Sequence, residues 1–203
     1  QKEHKPDPTG QQVLYVGTME NGYYRAIQEW AEYRNNSLRV FSSLSAADRI
    51  LRTNEEKKAY VLIDGELLAD DPEAAAEKLS QYVEQGGVVI FYRLPAYRVI
   101  EGCRDLQNLL GIQRLRGESV QLQEIRLFGG FRLGGETHYL FEGVEDPELV
   151  DLDREVPWYD IPSRTKSYMV GFLTEEEKSA AGLNNEDMPA IIWRSNMGTG
   201  SVF

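Results

Sequence analysis

Two acidic residues, Asp64 and Glu66, directly follow the apolar run at residues 59–63. A run of this length is too short for a buried helix and has the composition of a buried strand. A strand that ends in Asp64 and Gly65 delivers the acid to the carboxyl edge of a sheet, where open α/β folds bind their ligands. Two carboxylates at that edge suit acid–base catalysis or metal binding. The alternative is turn chemistry, in which Asp64 caps the next turn and Glu66 is solvated.

Three other loops are expected at the same edge, because each follows a predicted parallel strand. They are residues 18–22, 42–45 and 93–97. If the sheet has the common doubly wound order, the loops after its first, third and fourth strands meet at the switch point of the sheet. The candidate ligand-binding residues at that point are Thr18, Glu20, Asn21, Asp64, Glu66 and Arg93.

The chemistry expected of these loops is limited. Residues 17–22 lack the glycine-rich patterns of phosphate loops, and Glu20 would repel a phosphate, so nucleotide binding is not expected. A nucleophile elbow would need a Cys or Ser after the fourth strand, and residues 93–97 contain neither. The single cysteine, Cys103, has no histidine close to it in sequence and is expected to be a small buried residue. We therefore predict no catalytic residue.

A second candidate contact region is aromatic. Trp158 and Tyr159 lie between two prolines, which predicts a rigid loop over residues 156–162. The two rings could stack on a sugar, or they could cover the core. Both residues are therefore further ligand-binding candidates, whereas Trp193, which follows two isoleucines, is expected in the core.

Metal ligands and disulfide partners are scarce. With only His4, His138 and Cys103, the chain lacks the usual ligands of a zinc site, and a single cysteine excludes an internal disulfide. No sequence motif indicates a cofactor. We therefore predict neither a metal nor a cofactor.

The formal net charge of −11 is unfavourable for binding nucleic acid, which needs a basic surface. It is equally unfavourable for binding an anionic bilayer, and no apolar run approaches the roughly 20 residues of a membrane helix. We predict no contact of this fragment with nucleic acid or membrane. A cationic partner, such as an amine-bearing polymer, is compatible with the charge, and so is a plain soluble acidic surface.

Apolar periodicity predicts alternating strands and helices through residue 111. Helix starts are indicated by Asp71 before Pro72, and by Ser45 with Asp48 three residues later. This alternation predicts an α/β fold with a doubly wound, mostly parallel sheet and helices on both faces. The predicted strands are residues 12–17, 38–41, 59–64 and 88–92, and the first helix is expected to bury a stripe at Tyr23, Ile27, Trp30 and Ala31.

The second half of the chain has a different pattern. Alternating runs predict an antiparallel β extension, with a slip in the alternation near Gln123 and Glu124. We expect residues 1–11 to be a linker and residues 12–203 to be one domain cut from a longer chain, with a parallel core at 12–111 and the extension at 112–203. Within the extension, strands are predicted at 120–127, 137–141, 167–173 and 190–194, a loop or edge strand at 150–157, and a short helix at 174–181.

Motifs of the β/α half are similar to those of a known family. Residues 59–65 are Ala-Tyr-Val-Leu-Ile-Asp-Gly, residues 85–91 are Gln-Gly-Gly-Val-Val-Ile-Phe, and Leu-Pro follows at 94–95. Together with the closing segment at 189–203, they resemble class I glutamine amidotransferase-like domains, which have a flavodoxin-like fold. The amidotransferase cysteine would fall near residues 93–96 and is absent there, and no His-x-Glu pair follows. The resemblance therefore implies the fold and argues against amidotransfer.

More narrowly, the chain resembles the N-terminal module of a bacterial family whose downstream half resembles polysaccharide deacetylases. Some members of that family are associated with biosynthesis of the cationic exopolysaccharide Pel. The resemblance implies a non-catalytic accessory domain of a polysaccharide-modifying protein, located outside the cell or in the cell envelope. The implied partners are a polysaccharide, in particular an amino-sugar polymer, or other envelope proteins, and the metal site of a deacetylase parent would lie beyond Phe203.

Two alternative functions stay open. One is a hydrolase that uses Asp64 and Glu66 at the carboxyl edge of the sheet. The other is a small-molecule sensor that binds its ligand at the switch point.

Overall fold

The structure is a computed structural model that describes residues 11–53, 58–127, 148–160, 166–172, 176, 179 and 190–203. The chain divides into two compact units, one formed by Gln1–Leu109 with Asn196–Phe203 and the other by Leu110–Ser195. The described elements, in chain order, are β1 Gln12–Val16, α1 Gly22–Tyr33, β2 Ser37–Phe41, α2 Leu44–Leu51, β3 Tyr60–Asp64, a 3-10 turn Gly65–Leu68, α3 Pro72–Glu84, β4 Val88–Arg93, α4 Tyr97–Gly102, α5 Arg104–Leu110, β5 Arg114–Leu127, β6 Glu148–Asp160, β7 Lys166–Phe172, β8 Ala190–Met197 and β9 Gly200–Val202.

The first unit contains a parallel sheet with the strand order β2-β1-β3-β4-β9. This is the flavodoxin-like order, in which β1 lies between β2 and β3. It confirms the predicted α/β class with a mostly parallel sheet. The fifth strand comes from the end of the chain, where Ser201 and Val202 pair with Val88 and Val89. The sequence pattern assigns these last residues to the antiparallel extension, because a three-residue strand has no periodicity that would indicate its place in the parallel sheet.

Helices cover both faces of the parallel sheet. Side chains alternate between the two faces along a strand, and β1 and β3 are buried on both. On one face, Val13, Tyr15 and Leu62 form a core cluster with Ile27 of α1. Helices α2 and α3, which contact strands β1, β2, β4 and β9, cover the other face. The sheet is therefore a rigid platform for the loops at its carboxyl edge.

Helix α3 begins at the residues that the sequence predicts. The side chain of Asp71 accepts a hydrogen bond from the Ala74 amide at 3.1 Å, and Pro72 occupies the first helical position. Gly86 follows the helix with a φ of 96°, a backbone conformation that favours glycine.

The predicted start of α2 is wrong. Ser43, not Ser45, caps the helix, and its hydroxyl accepts a hydrogen bond from the Ala46 amide at 3.2 Å. Asp48 does not complete a capping box, because its carboxylate binds Arg52 at 2.7 Å and Lys78 of α3 at 2.8 Å.

The second unit consists of antiparallel pairs, in which β7 pairs with β8 and with β5, and β5 pairs with β6. The predicted antiparallel β structure is confirmed in the described part. The register between β5 and β6 shifts between Leu122 and Glu124, where the slip in alternation was predicted. The predicted strand at 137–141 lies outside the described residues. The predicted helix at 174–181 is described only at Glu176 and Ser179, which are both helical.

The predicted loop at residues 156–162 is wrong in its described part, because residues 156–160 belong to strand β6. Pro157 lies opposite Ser119 of β5 without ending the strand. Among the described strands, β6 pairs only with β5 and is therefore an edge strand. An edge strand tolerates a proline where the backbone N–H that proline lacks would point away from the neighbouring strand.

Among the described residues, none of the helices combines the length and the apolar content that a bilayer span requires.

Candidate functional site

The carboxyl edge of the parallel sheet brings Asp64 and Arg93 together. These two residues end the neighbouring strands β3 and β4, and a register shift after Ile63 places Asp64 opposite Arg93. The guanidinium donates from Nε to Asp64 Oδ1 at 2.9 Å and from Nη2 to Asp64 Oδ2 at 2.5 Å. This bidentate geometry is the strong form of an arginine–carboxylate pair.

Asp64 also caps the 3-10 turn that follows it. Its Oδ1 accepts a hydrogen bond from the Glu66 amide at 3.0 Å, which is the turn chemistry given as the alternative role for this residue. Gly65 begins the turn, and a Cβ there would approach the carbonyl oxygen of Arg93 to 2.5 Å and would also collide with the backbone nitrogen of Pro95. Close packing of the two loops therefore requires a glycine at position 65.

Glu66 makes the second ion pair of the cluster. Its Oε2 lies 3.0 Å from Arg93 Nη2, and its side chain is 61% exposed. The two carboxylates of Asp64 and Glu66 share one guanidinium, so the cluster has one surplus negative charge. Glu66 is therefore neither a free partner of Asp64 nor fully solvated.

The electrostatics of this cluster hold Asp64 in its ionised form. Burial by itself would raise the pKa of Asp64, but the hydrogen bonds from Arg93 and from the Glu66 amide outweigh burial and lower that pKa below its usual value. The hydrogen bond to Asp64 correspondingly raises the pKa of Arg93, and the charge of Glu66 adds to the effect. A carboxylate held in this way is a poor general base, because a general base needs a pKa near the working pH and a free oxygen.

Three tyrosine rings pack against one another beside the ion cluster. The Tyr15 and Tyr92 rings are parallel within 7° with centroids 5.4 Å apart, and the Tyr23 ring lies 5.1 Å from the Tyr92 ring at 37°. Tyr92 donates its hydroxyl proton to the Tyr15 hydroxyl at 3.1 Å, and Tyr15 donates to the Thr18 carbonyl at 2.7 Å. Burial raises the pKa of Tyr92, and the hydrogen bond to Tyr15 raises it further. Tyr15 is buried, whereas Tyr23 is 47% exposed and presents a ring to solvent.

The loop after β1 is fixed by its own polar groups. Asn21 caps α1, since its Oδ1 accepts a hydrogen bond from the Tyr24 amide at 3.0 Å. The Thr18 hydroxyl accepts from the Glu20 amide at 3.3 Å, and the Glu20 side chain is exposed. Gly17 precedes the loop, and a Cβ there would collide with the Tyr92 hydroxyl. Thr18 and Asn21 therefore have structural roles, and Glu20 is the polar residue of this loop whose side chain has no partner among the described residues.

The predicted candidates are thus divided between two places. Asp64, Glu66 and Arg93 are in direct contact. The Thr18 carbonyl binds Tyr15, whose hydroxyl accepts from Tyr92, the residue before Arg93. Trp158 and Tyr159 belong to the second unit.

The second unit uses Tyr159 in its core. The Tyr159 ring is buried and lies 5.9 Å from the ring of Trp193, whose Nε1 donates to the Leu110 carbonyl at 2.7 Å. Trp193 is in the core as predicted, and Cys103 is buried as predicted.

Sequence reasoning missed the tyrosines of the site. It placed Tyr23 on the buried stripe of α1, but only Ile27 and Ala31 of that stripe are buried, while Trp30 is half-buried. Tyr23 lies in the first turn of the helix, at the level of the sheet edge, where its ring packs on Tyr92. An available signal was the aromatic residue near the carboxyl end of both β1 and β4.

Among the described residues, no group of three or more His, Cys, Asp or Glu side chains is placed to hold a metal ion.

Comparison with known proteins gives a likeness in structure. No protein-family model matches the chain. No curated protein matches it either. Among solved structures, the chain is similar to a glutamine amidotransferase from Thermotoga maritima, with 13% identity and a TM-score of 0.48, over 96% of this chain and 74% of that protein. A structural similarity at this level supports no conclusion about activity.

Proposed function

We propose that this chain is a non-catalytic accessory domain of a bacterial envelope-associated polysaccharide-modifying protein, and that it contacts a glycan at the carboxyl edge of its parallel sheet. The observation that carries the non-catalytic part is the bidentate pair between Arg93 and Asp64. It engages both oxygens of the best-placed acid at this edge. The envelope location and the polysaccharide-modifying parent rest on the family resemblance of the sequence.

An exposed aromatic ring beside charged groups supports glycan contact. Sugars have apolar C–H faces that pack on aromatic rings. Tyr23 has a half-exposed ring that packs against the Tyr92 ring. The sugar's hydroxyl groups would find an acceptor in Glu66, which is mostly exposed, and a donor in Arg93, whose side chain is 39% exposed.

The charge at this edge favours an amine-bearing sugar. Asp64 and Glu66 outnumber Arg93 by one charge, and the exposed carboxylate of Glu20 follows β1 at the same edge. An ammonium group of an amino sugar would offset this surplus, whereas a carboxylate-bearing sugar would add to it. The preferred partner is therefore an amino-sugar polymer.

Hydrolysis by Asp64 and Glu66 is a weaker proposal. Both carboxylates bind the same guanidinium, so neither is a free base or a free metal ligand in this arrangement. A small-molecule sensor remains the second candidate, because the loops after β1 and β3 lie at the switch point of the sheet. A thermal-shift screen with metabolites tests it, since a ligand at 100 times its dissociation constant adds about 2.7 kcal/mol to stability.

The test of glycan contact is calorimetric titration of the protein with soluble glucosamine oligomers. Tyr23→Ala removes the exposed ring, and we expect it to weaken binding about tenfold, which corresponds to about 1.4 kcal/mol. Tyr33→Ala is the matched control, because Tyr33 is an exposed tyrosine at the opposite end of the same helix. Equal weakening by the two variants, or no binding by the wild type at millimolar oligomer, would contradict the proposal.

A further inference from the structure

Strand β2 forms an outer edge of the parallel sheet, and among the described strands it pairs only with β1. Ser37 donates its amide to the Gln11 carbonyl at 3.2 Å, and the Phe41 carbonyl accepts from the Gly17 amide at 2.9 Å. In a parallel ladder, the N–H and C=O of one residue point to the same side, and successive residues alternate between sides.

Leu38 and Val40, the residues between those that bond to β1, therefore direct their backbone groups away from the sheet. The edge is also accessible to a partner: Val40 is 36% exposed, and Arg39 is exposed with its guanidinium 5.5 Å from the centre of the Phe41 ring. An exposed edge of this kind is a template for an additional strand.

The charge of Arg39 selects the kind of strand that can pair with β2. If an antiparallel segment bonds to Leu38 and Val40, the residue between its two bonding positions lies directly opposite Arg39, on the same face of the sheet. A second copy of β2 would place Arg39 opposite itself, and like charges in that position destabilise the pair. An acidic residue there would instead form a cross-strand ion pair.

We propose that β2 accepts an antiparallel extended segment of a partner protein, with an Asp or Glu opposite Arg39 and an apolar residue on either side of it. The backbone groups of Leu38 and Val40 supply the affinity, and Arg39 supplies the selection. This surface is independent of the glycan-contact edge, so the two proposals succeed or fail separately.

The test uses two acetylated peptides, Thr-Val-Glu-Val-Thr and Thr-Val-Lys-Val-Thr, added to the full chain. Hydrogen exchange of the Leu38 and Val40 amides is followed by NMR. At three times its dissociation constant, the Glu peptide should slow exchange at both amides about fourfold, and the Lys peptide should bind about fivefold more weakly. Equal protection by both peptides, or none at millimolar concentration, overturns the proposal.

Two variants sharpen the test. Arg39→Glu should reverse the preference, so that the Lys peptide binds more tightly. Val40→Pro should abolish protection at Leu38, because it removes an outward N–H that the β1 ladder does not use. Sedimentation of the protein alone tests whether a second copy of the chain binds at this edge instead. Self-association that Val40→Pro abolishes would identify a second copy as the partner and would also overturn the proposal.

Discussion

The Arg93 guanidinium binds both carboxylate oxygens of Asp64 where strands β3 and β4 end, at 2.9 and 2.5 Å. Asp64 is only 3% exposed, so its charge depends on this partner and on the Glu66 amide. The pair holds two adjacent loops of the carboxyl edge together, and it converts a well-placed acid into a structural group.

Removing the arginine should destabilise the fold. Arg93→Ala leaves the buried carboxylate of Asp64 without its cation, and we expect a loss of about 2 kcal/mol, below that of a fully buried pair because the arginine is partly exposed. Urea unfolding measures this loss. Arg25→Ala is the control, because within the described residues it breaks one exposed ion pair, that with Glu29, and its unfolding midpoint should match that of the wild type.

The pH dependence of stability should show the same pair. Because folding lowers the pKa of Asp64, the unfolded chain binds its proton more readily, and the stabilisation is fully present above about pH 4. It is lost as the pH falls through the folded-state pKa of Asp64.

Asp64→Asn isolates this contribution. The difference in unfolding free energy between wild type and Asp64→Asn should be constant near neutral pH and should shrink on acidification. A difference that stays constant down to the acid transition, or that grows, would contradict the assignment.

Gly65 should not tolerate a side chain. A Cβ at this position meets the backbone of Arg93 and Pro95, which cannot yield as a flexible side chain would, so Gly65→Ala should cost about 2 kcal/mol. Gly22→Ala provides the comparison, because no atom of the described part of the chain lies within 4 Å of the Cβ that it adds. It should be neutral or slightly stabilising in the same urea experiment.

Trp193 should anchor the second unit through its indole N–H. Trp193→Phe keeps a buried ring but removes the hydrogen bond to the Leu110 carbonyl, which should cost about 1–2 kcal/mol. Thermal unfolding followed by near-ultraviolet circular dichroism tests this. An unchanged midpoint would show that the hydrogen bond adds nothing to stability.

The sequence predicts the order of elements in the β/α half because the residues at the ends of the elements, such as helix caps, prolines and glycines, act locally. Asp71, Pro72 and Gly86 fix the ends of α3 through a cap, a fixed φ and a positive φ, and none of these depends on distant residues. Residue spacing along the chain likewise predicts Asp64 and Arg93 at the same edge of the sheet.

The contacts within the site are beyond prediction from sequence. The contact between Asp64 and Arg93 depends on a register shift after Ile63, and no sequence pattern indicates that shift. The exposure of Tyr23 depends on how far the first turn of α1 extends past the sheet. The prolines on either side of Trp158 predict a loop, because prolines usually end strands. Only the position of β6 beside a single described neighbour permits a proline within this strand.

The most direct test of glycan contact at the carboxyl edge is to map the site with an isotope-labelled protein. Amide NMR spectra are recorded while soluble glucosamine oligomers are added. We expect saturable shifts at Tyr23, Glu66 and Arg93 and none at Tyr33. No saturable shifts at millimolar oligomer, or shifts confined to residues away from this edge, would contradict it.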